Sequence, residues 1–129
     1  MVAKDIMSQN IITVSPTAPV KNLAKILLQN RISGAPVVDK KGKILGVVSK
    51  ADIVAKKGKQ VKAIMSPKVI AVDEETPVEE IASLMTHHNI KRVPVMRARK
   101  LVGIVSRADI VRAIAMGEHV TLHTPVYDL

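Results

Sequence analysis

Two short segments of the chain place a serine and an aspartate at the same spacing, directly after an apolar run. They read VVSKAD, ending at Asp52, and IVSRAD, ending at Asp109. A serine that ends a strand and begins a helix lies where unpaired backbone N–H groups and the helix dipole favour an anion. An aspartate three residues later lies beside it, and its carboxylate can accept hydrogen bonds from both hydroxyls of a ribose. The pattern predicts two nucleoside-type acceptors, Ser49 with Asp52 and Ser106 with Asp109.

The same spacing also has a purely structural interpretation. Ser is a favoured N-cap residue, and Asp is favoured in the first helical turn by the helix dipole. An isolated S-x-x-D therefore marks a helix start more often than a ligand site. The two roles are compatible, and the motif alone leaves both open.

The two motifs belong to a larger internal repeat. Residues 4–42 align with residues 62–100 at a constant offset of 58, and after the following turn the offset becomes 57. Ile-Met-Ser occurs at 6–8 and again at 64–66. The chain is therefore a tandem duplication, for which we expect a first repeat over 1–57, a second over 58–115 and a tail over 116–129.

Each repeat predicts the element order β-α-β-β-α, which places the chain in the α/β class. In the first repeat we expect a strand at 12–14, strands at 35–38 and 44–48, and a closing helix from Ser49. The intervening helix is expected to bury one apolar face, formed by Val20, Leu23, Ala24, Leu27 and Leu28. In the second repeat, Thr76 is expected to cap the helix, with Pro77 at its first position and Glu79 completing a capping box.

The composition limits the classes of function. Hydrophobic residues form 47% of the chain, Cys is absent and the net charge is +9. The lack of Cys excludes disulfides and thiolate chemistry, and no apolar run approaches the roughly 20 residues of a membrane span. No histidine has a convincing metal spacing, and no nucleophile–base set is present. We therefore predict a cytoplasmic protein that is not an enzyme, with no catalytic residue, no metal ligand and an anionic partner.

Two repeats of this order, each ending in an apolar segment and S-x-x-D, resemble a tandem pair of cystathionine-β-synthase (CBS) domains, often called a Bateman module. The segments DIMS/AIMS, TVSPTAPV/AVDEETPV and ISGAPVVD/IKRVPVMR carry the resemblance, which covers residues 1 to about 115. It implies two repeats packed with pseudo-twofold symmetry and a regulatory role that requires no cofactor. The implied ligand is AMP, ADP, ATP or S-adenosylmethionine. A homodimer, commonly a disc formed through helices, and an unidentified regulated protein are also implied.

In such pairs the ligand lies between the S-x-x-D motif of one repeat and strand regions of the other. The resemblance thus implies a first site formed by Ser49, Asp52, Ile70, Ile90, Lys91, Arg92 and Pro94. It implies a second site formed by Ser106, Asp109, Ile12, Ile32, Ser33, Gly34 and Pro36. Apolar members would hold the adenine, and the Lys91–Arg92 pair would contact phosphate. Because Ser33 and Gly34 add no charge, the sites are predicted to differ in ligand or in occupancy.

Two other functions are consistent with the residues. A nucleic-acid-binding protein would use basic clusters at the linker and at the second turn, although no aromatic residue lies among them. These clusters are Lys56, Lys57, Lys59 and Lys62, and Arg97, Arg99 and Lys100. The third interpretation is a structural dimerisation module whose sites no longer bind ligand.

Overall fold

The computed structural model describes residues 1–116, and the chain divides into two compact units. We call residues 12–69 the middle unit, and residues 1–11 together with the residues from 70 onward the terminal unit. Apart from Met116, the predicted tail lies outside the described residues. The elements along the chain are α1 (Ala3–Ile6), α2 (Val20–Gln29), β1 (Gly34–Val38), β2 (Ile44–Ser49), α3 (Lys50–Ala55), α4 (Val61–Ile64), β3 (Val72–Asp73), α5 (Val78–His88), β4 (Arg92–Arg97), β5 (Lys100–Ser106) and α6 (Arg107–Ala115).

The sheet of the middle unit is a two-stranded antiparallel hairpin, β1–β2, in which Gly34 lies opposite Ser49. The predicted strand at 12–14 is reduced to a single parallel bridge between Val14 and Val37. The turn between the strands is closed by Asp39, whose Oδ1 accepts hydrogen bonds from two backbone N–H groups further along the turn. The end of β2 thus leads directly into α3.

The sheet of the terminal unit has three strands in the order β3-β4-β5. Here the first strand is formed: β3 pairs in parallel with β4, and Val72 lies opposite Val95. Strands β4 and β5 are antiparallel, with Arg92 opposite Ser106. The α/β class and the duplicated arrangement of helices and strands are confirmed.

The opening segment of each repeat packs in the unit formed by the other repeat. In the terminal unit, Ser8 and Ile104 exchange two backbone hydrogen bonds of 2.8 and 3.0 Å. In the middle unit, Ser66 and Val47 do the same at 2.8 and 2.9 Å. The packing units therefore differ from the sequence repeats, and the short helices α1 and α4 that open these segments were not predicted.

Two equivalent glycines permit this close approach. A Cβ at Gly46 would lie 2.5 Å from the backbone carbonyl oxygen of Ser66. A Cβ at Gly103 would collide with the side chain of Met7. A glycine in a strand commonly marks a place where another backbone approaches closely, and both positions follow that rule.

Each unit has its own aliphatic core. The middle core is formed by Val14, Leu23, Leu27, Ala35, Val37, Val48, Val61 and Ile64. The terminal core is formed by Ala3, Val72, Val78, Ile81, Met85, Val93, Val95, Val105 and Ile110. The prediction that Leu28 joins the buried face of α2 was wrong, because this side chain is 68% exposed.

The predicted capping box at the start of α5 was also wrong. Pro77 is the N-cap residue, and no side chain caps the helix. The Thr76 hydroxyl oxygen instead accepts a hydrogen bond from the backbone N–H of Asp73 at 3.0 Å. Thr76 thus stabilises the turn that leads to the helix, and the helix itself begins at Val78.

Candidate functional site

Both S-x-x-D motifs form complete capping boxes. The Ser49 hydroxyl oxygen accepts from the Asp52 N–H at 3.3 Å, and Asp52 Oδ2 accepts from the Ser49 N–H at 2.9 Å. Ser106 and Asp109 make the same pair of bonds at 3.2 and 2.8 Å. The structural interpretation of the motif therefore holds in both repeats, and any ligand role must be compatible with it.

The backbone N–H groups at these helix starts are largely satisfied within their own unit. Besides the capping bonds, the N–H of Lys50 donates to the Ser33 carbonyl at 2.9 Å. The N–H of Arg107 donates to the Lys91 carbonyl at 3.0 Å. These donors do not match the unpaired N–H groups expected to attract an anion. A phosphate at either site would therefore depend on side chains.

Both carboxylate oxygens of Asp52 have partners within the protein. Its Oδ2 accepts from the N–H of Ser49 and also from the Ser49 hydroxyl at 3.1 Å. Its Oδ1 lies 3.0 Å from Nζ of Lys56, which also donates to the Ile64 carbonyl at 3.2 Å. A carboxylate offers about four lone-pair positions. Three are occupied here, so a ribose diol needs the release of one existing contact.

The Asp109 carboxylate has more free accepting capacity. Its Oδ2 accepts from the N–H of Ser106, and its Oδ1 accepts from Nη1 of Arg112 at 3.0 Å. Only two of about four lone-pair positions are therefore used by the described residues. Asp109 can accept both hydroxyls of a ribose while it keeps its capping bond and its ion pair.

A half-buried cation accompanies the Asp109 motif. The register of β4 and β5 places Arg92 opposite Ser106. Burial lowers the pKa of the Arg92 guanidinium, which nevertheless remains charged at neutral pH. The side chain of Arg107 also turns toward this segment, since its Nε donates to the Ile90 carbonyl at 3.1 Å. The terminal unit thus combines an aspartate acceptor with a half-buried guanidinium in neighbouring strand and helix positions.

The equivalent position in the middle unit is uncharged. Gly34 takes the place of Arg92 opposite Ser49, and Ser33 takes the place of Lys91.

The apolar residues predicted to line the two sites differ in how far they are buried. Half-buried are Ile12, Ile32, Ile70 and Ile90, and buried are Pro36 and Pro94.

The structure thus brings each S-x-x-D motif next to the strand segment of its own repeat. The predicted assignment of Asp52 to Lys91 and Arg92 joins residues of different units, and it stays a prediction. Sequence reasoning missed the cations that bind the carboxylates, Lys56 and Arg112. Their spacing was the available signal, because residues three and four positions apart share one face of a helix.

Within residues 1–116, no helix is long and apolar enough to cross a membrane. The same residues contain no group of three or more His, Cys, Asp or Glu side chains arranged to hold a metal ion.

Comparison with known proteins identifies the family that this geometry represents. The sequence model of the CBS domain matches twice, over residues 3–58 and 61–116. The chain therefore belongs to the CBS domain family and carries two of its domains.

Solved structures similar to this chain include CBS domain pairs with bound adenosine compounds. The CBS domain pair of protein MJ0100, in complex with 5′-methylthioadenosine and S-adenosyl-L-methionine, is 35% identical with a TM-score of 0.83, covering 92% of this chain and 98% of that chain. CBSX2 in complex with AMP is 31% identical with a TM-score of 0.86, covering 89% and 96%. Both neighbours bind ligands that contain adenosine.

Among curated relatives, L-aspartate semialdehyde sulfurtransferase of Methanocaldococcus jannaschii is 37% identical over 113 residues. That match covers 84% of this chain and 22% of the relative, so the chain spans about a fifth of that enzyme's length. The CBS domain-containing protein YhcV of Bacillus subtilis is 29% identical, and the match covers 83% of this chain and 81% of that protein.

Proposed function

We propose that this chain is a regulatory module that binds an adenine nucleotide or an S-adenosylmethionine-type ligand, and that it holds the ligand by its ribose. The observation that carries the proposal is the Asp109 carboxylate, which is fixed by its capping bond and, among residues 1–116, keeps free accepting positions. The similar structures with bound ligand support the same chemistry, since AMP, 5′-methylthioadenosine and S-adenosylmethionine share the adenosine group.

The two units are proposed to prefer different ligands. Arg92 next to the Asp109 motif favours a ligand with a phosphate, because Arg forms strong bidentate hydrogen bonds with phosphate. The uncharged Ser33–Gly34 segment next to the Asp52 motif suits a 5′ group without phosphate. To bind a ribose, the Asp52 carboxylate must also release Lys56 or accept from Lys56 and the ribose at the same time. We therefore assign the tighter nucleotide site to the terminal unit.

Calorimetry with AMP, ATP, adenosine and S-adenosylmethionine tests this proposal on the wild type, Asp52→Asn and Asp109→Asn. Asn preserves the size of the side chain and an oxygen for the capping bond. If Arg92 serves Asp109, the preference for ATP over adenosine should disappear in Asp109→Asn and persist in Asp52→Asn. The reverse result would favour the assignment of Lys91 and Arg92 to Asp52. Equal affinity of the wild type for AMP and 2′-deoxy-AMP would exclude the ribose assignment.

We further propose that the module acts as a homodimer and transmits ligand binding to a regulated protein. Exposed valines on the closing helices support self-association. Val54 on α3 is 88% exposed, and its equivalent, Val111 on α6, is 63% exposed. Sedimentation of the purified chain over a range of concentrations tests the dimer.

Nucleic-acid binding is the second candidate, and one observation favours it. The middle unit contains twelve Lys and Arg side chains and two Asp, a formal charge of +10. Such a surface attracts a phosphate backbone, and the affinity falls steeply with salt. We expect only weak binding that disappears near physiological salt. Tight, sequence-selective binding of RNA or DNA at that salt would reverse the ranking.

A further inference from the structure

The two S-x-x-D motifs differ at the residue that follows the serine, which is Lys50 in the middle unit and Arg107 in the terminal unit. The backbone N–H groups of both residues donate to the strand segment beside them. Among the described residues, Arg107 alone adds a side-chain bond to that segment, from its Nε to the Ile90 carbonyl at 3.1 Å. The Arg107 side chain is therefore anchored beside the start of β4, whereas the Lys50 side chain has no such anchor.

The anchored side chain keeps most of its donors for a ligand. A guanidinium has five N–H donors in one plane, and the bond to Ile90 uses the one on Nε. The described part of the chain provides no partner for the Nη1 and Nη2 groups of Arg107, and the residue is exposed. Because the anchor already restricts the rotamers, binding an anion here costs less conformational entropy than binding it with a free arginine.

Two further cations lie beside this guanidinium. The Lys91 carbonyl accepts from the backbone N–H of Arg107 at 3.0 Å, and Arg92 lies opposite Ser106. The ion pairs within residues 1–116 involve other basic residues, so Lys91, Arg92 and Arg107 have no carboxylate partner there. We call these three residues the terminal cation cluster. Neighbouring like charges without a counter-charge attract an anion that carries several charges.

The terminal cation cluster does not follow from the overall charge of its unit. Over residues 1–11 and 70–116 the terminal unit has eight Lys and Arg against seven Asp and Glu, a formal charge of +1. In the middle unit, which has a charge of +10, the equivalent positions are Ser33, Gly34 and Lys50, with a single cation. The unit with less positive charge overall therefore has more of it at this position.

We propose that Arg107 determines how many phosphate groups the ligand of the terminal unit carries, and that it selects a nucleoside di- or triphosphate over a monophosphate. This inference rests on the proposed nucleotide site and narrows the class of its ligand. The half-buried Arg92 is sufficient for one phosphate, since one guanidinium binds one phosphate through two parallel hydrogen bonds. A second and a third phosphate add negative charge, and the Nη groups of Arg107 provide the matching donors and charge.

Calorimetry with adenosine, AMP, ADP and ATP, without divalent cations, tests this role on the wild type and Arg107→Gln. Gln removes the charge and keeps a polar side chain, and position 107 is exposed, so the fold should be retained. At the tight site of the wild type, ADP and ATP should bind at least about tenfold more tightly than AMP. In Arg107→Gln, ATP affinity should fall by about tenfold or more, AMP affinity by less than about threefold, and adenosine affinity should not change.

Two variants serve as controls. Lys50→Gln removes the equivalent charge of the middle unit and should leave the ratio of ATP to AMP affinity at the tight site unchanged. Arg107→Lys keeps the charge without the planar fork, so its ATP affinity should lie between those of the wild type and Arg107→Gln. Equal losses for adenosine, AMP and ATP in Arg107→Gln would show a structural role and overturn the inference. Equal ATP losses in Arg107→Gln and Lys50→Gln would show a general effect of charge and overturn it as well.

Inorganic tripolyphosphate tests the terminal cation cluster without a nucleoside. At equal ionic strength it should raise the thermal unfolding temperature of the wild type more than orthophosphate does, and Arg107→Gln should lose that difference. If the wild type binds adenosine and AMP but prefers neither ATP nor tripolyphosphate, the inference is wrong and the proposed function stands. If tripolyphosphate binds through Arg107 and adenosine does not bind at all, the proposed function is wrong and the role of Arg107 in polyphosphate binding stands.

Discussion

The middle and terminal units have equivalent scaffolds and unequal polar groups. In each unit a strand leads directly into a helix whose N-terminus is capped by Ser, and the opening segment of the other repeat packs against that unit. Yet the middle unit has a formal charge of +10 and a Gly opposite its capping Ser, whereas the terminal unit, counted over residues 1–11 and 70–116, has a charge of +1 and Arg92 at the equivalent place. The difference indicates that burial and capping maintain the duplicated fold, while positions outside these constraints are free to differ in charge between the units.

The largest effect should come from the shared scaffold and should be similar in both units. Leu23 and Ile81 occupy equivalent helix positions, and both are fully buried. Replacing either with Ala should reduce stability by about 2–5 kcal/mol, because each change removes buried methyl groups and leaves a cavity. Chemical denaturation measures both. A loss below about 1 kcal/mol at one position would show that its unit contributes little to the folded state.

The next effect should separate the units by their ligand chemistry. Asp109→Asn should weaken AMP binding by about 10- to 150-fold, since a hydrogen bond to a charged group contributes roughly 1.5–3 kcal/mol. Asp52→Asn should leave this tight binding event nearly unchanged, because Asp52 belongs to the weaker proposed site. Calorimetry counts the sites and gives both affinities. Equal losses in the two variants would remove the proposed asymmetry.

The fold was predictable where one local signal dominates. The apolar strands and the Ser N-caps were identified because strand periodicity and capping act over a few residues. The exchange of the opening segments could not be predicted. The segments at 6–8 and 64–66 have the same sequence, Ile-Met-Ser, so the sequence does not show which repeat each of them packs against. That pairing depends on tertiary packing at Gly46 and Gly103.

The capping contacts of the two S-x-x-D motifs were predictable from the sequence, but the electrostatics around them were not. The motif identified Asp52 and Asp109 as acceptors, yet the free accepting capacity of each depends on side-chain geometry. Lys56 lies four residues after its aspartate and Arg112 lies three after, so both partners are possible from spacing alone. That Lys56 also binds the Ile64 carbonyl, and so is held in place, depends on the folded position of α4.

A smaller effect on stability should distinguish the two glycines, Gly46 and Gly103, against which the opening segments pack closely. Gly46→Ala should destabilise by about 1–3 kcal/mol, because its Cβ meets the backbone of Ser66 and the backbone cannot easily move. Gly103→Ala should cost less, because the flexible side chain of Met7 can change its rotamer.

Adding Met7→Ala provides the control for this pair. It should recover part of the stability lost in Gly103→Ala, because it removes the side chain that the new methyl group meets. It should not restore the stability lost in Gly46→Ala, because the new methyl group there meets the backbone of Ser66. Thermal unfolding of the single and double variants measures the coupling, and equal losses for the two Gly variants would contradict the explanation.

The smallest effect should come from the cation that occupies the Asp52 carboxylate. Lys56→Met keeps most of the aliphatic side chain but removes the ammonium group from Oδ1 and from the Ile64 carbonyl. An ion pair that water can reach, as at the 46% exposed Lys56 side chain, contributes about 0.2–1 kcal/mol, so adenosine should bind the Asp52 site up to about fivefold more tightly once this competitor is gone. Adenosine is the suitable ligand because it is neutral, and the lost positive charge then has no direct effect on its attraction. Arg112→Met is the matched control, and it should change adenosine affinity at Asp109 by less, since the described part of the chain leaves that carboxylate free accepting positions. Weaker binding in Lys56→Met would mean that the ammonium group contacts the ligand and does not compete with it.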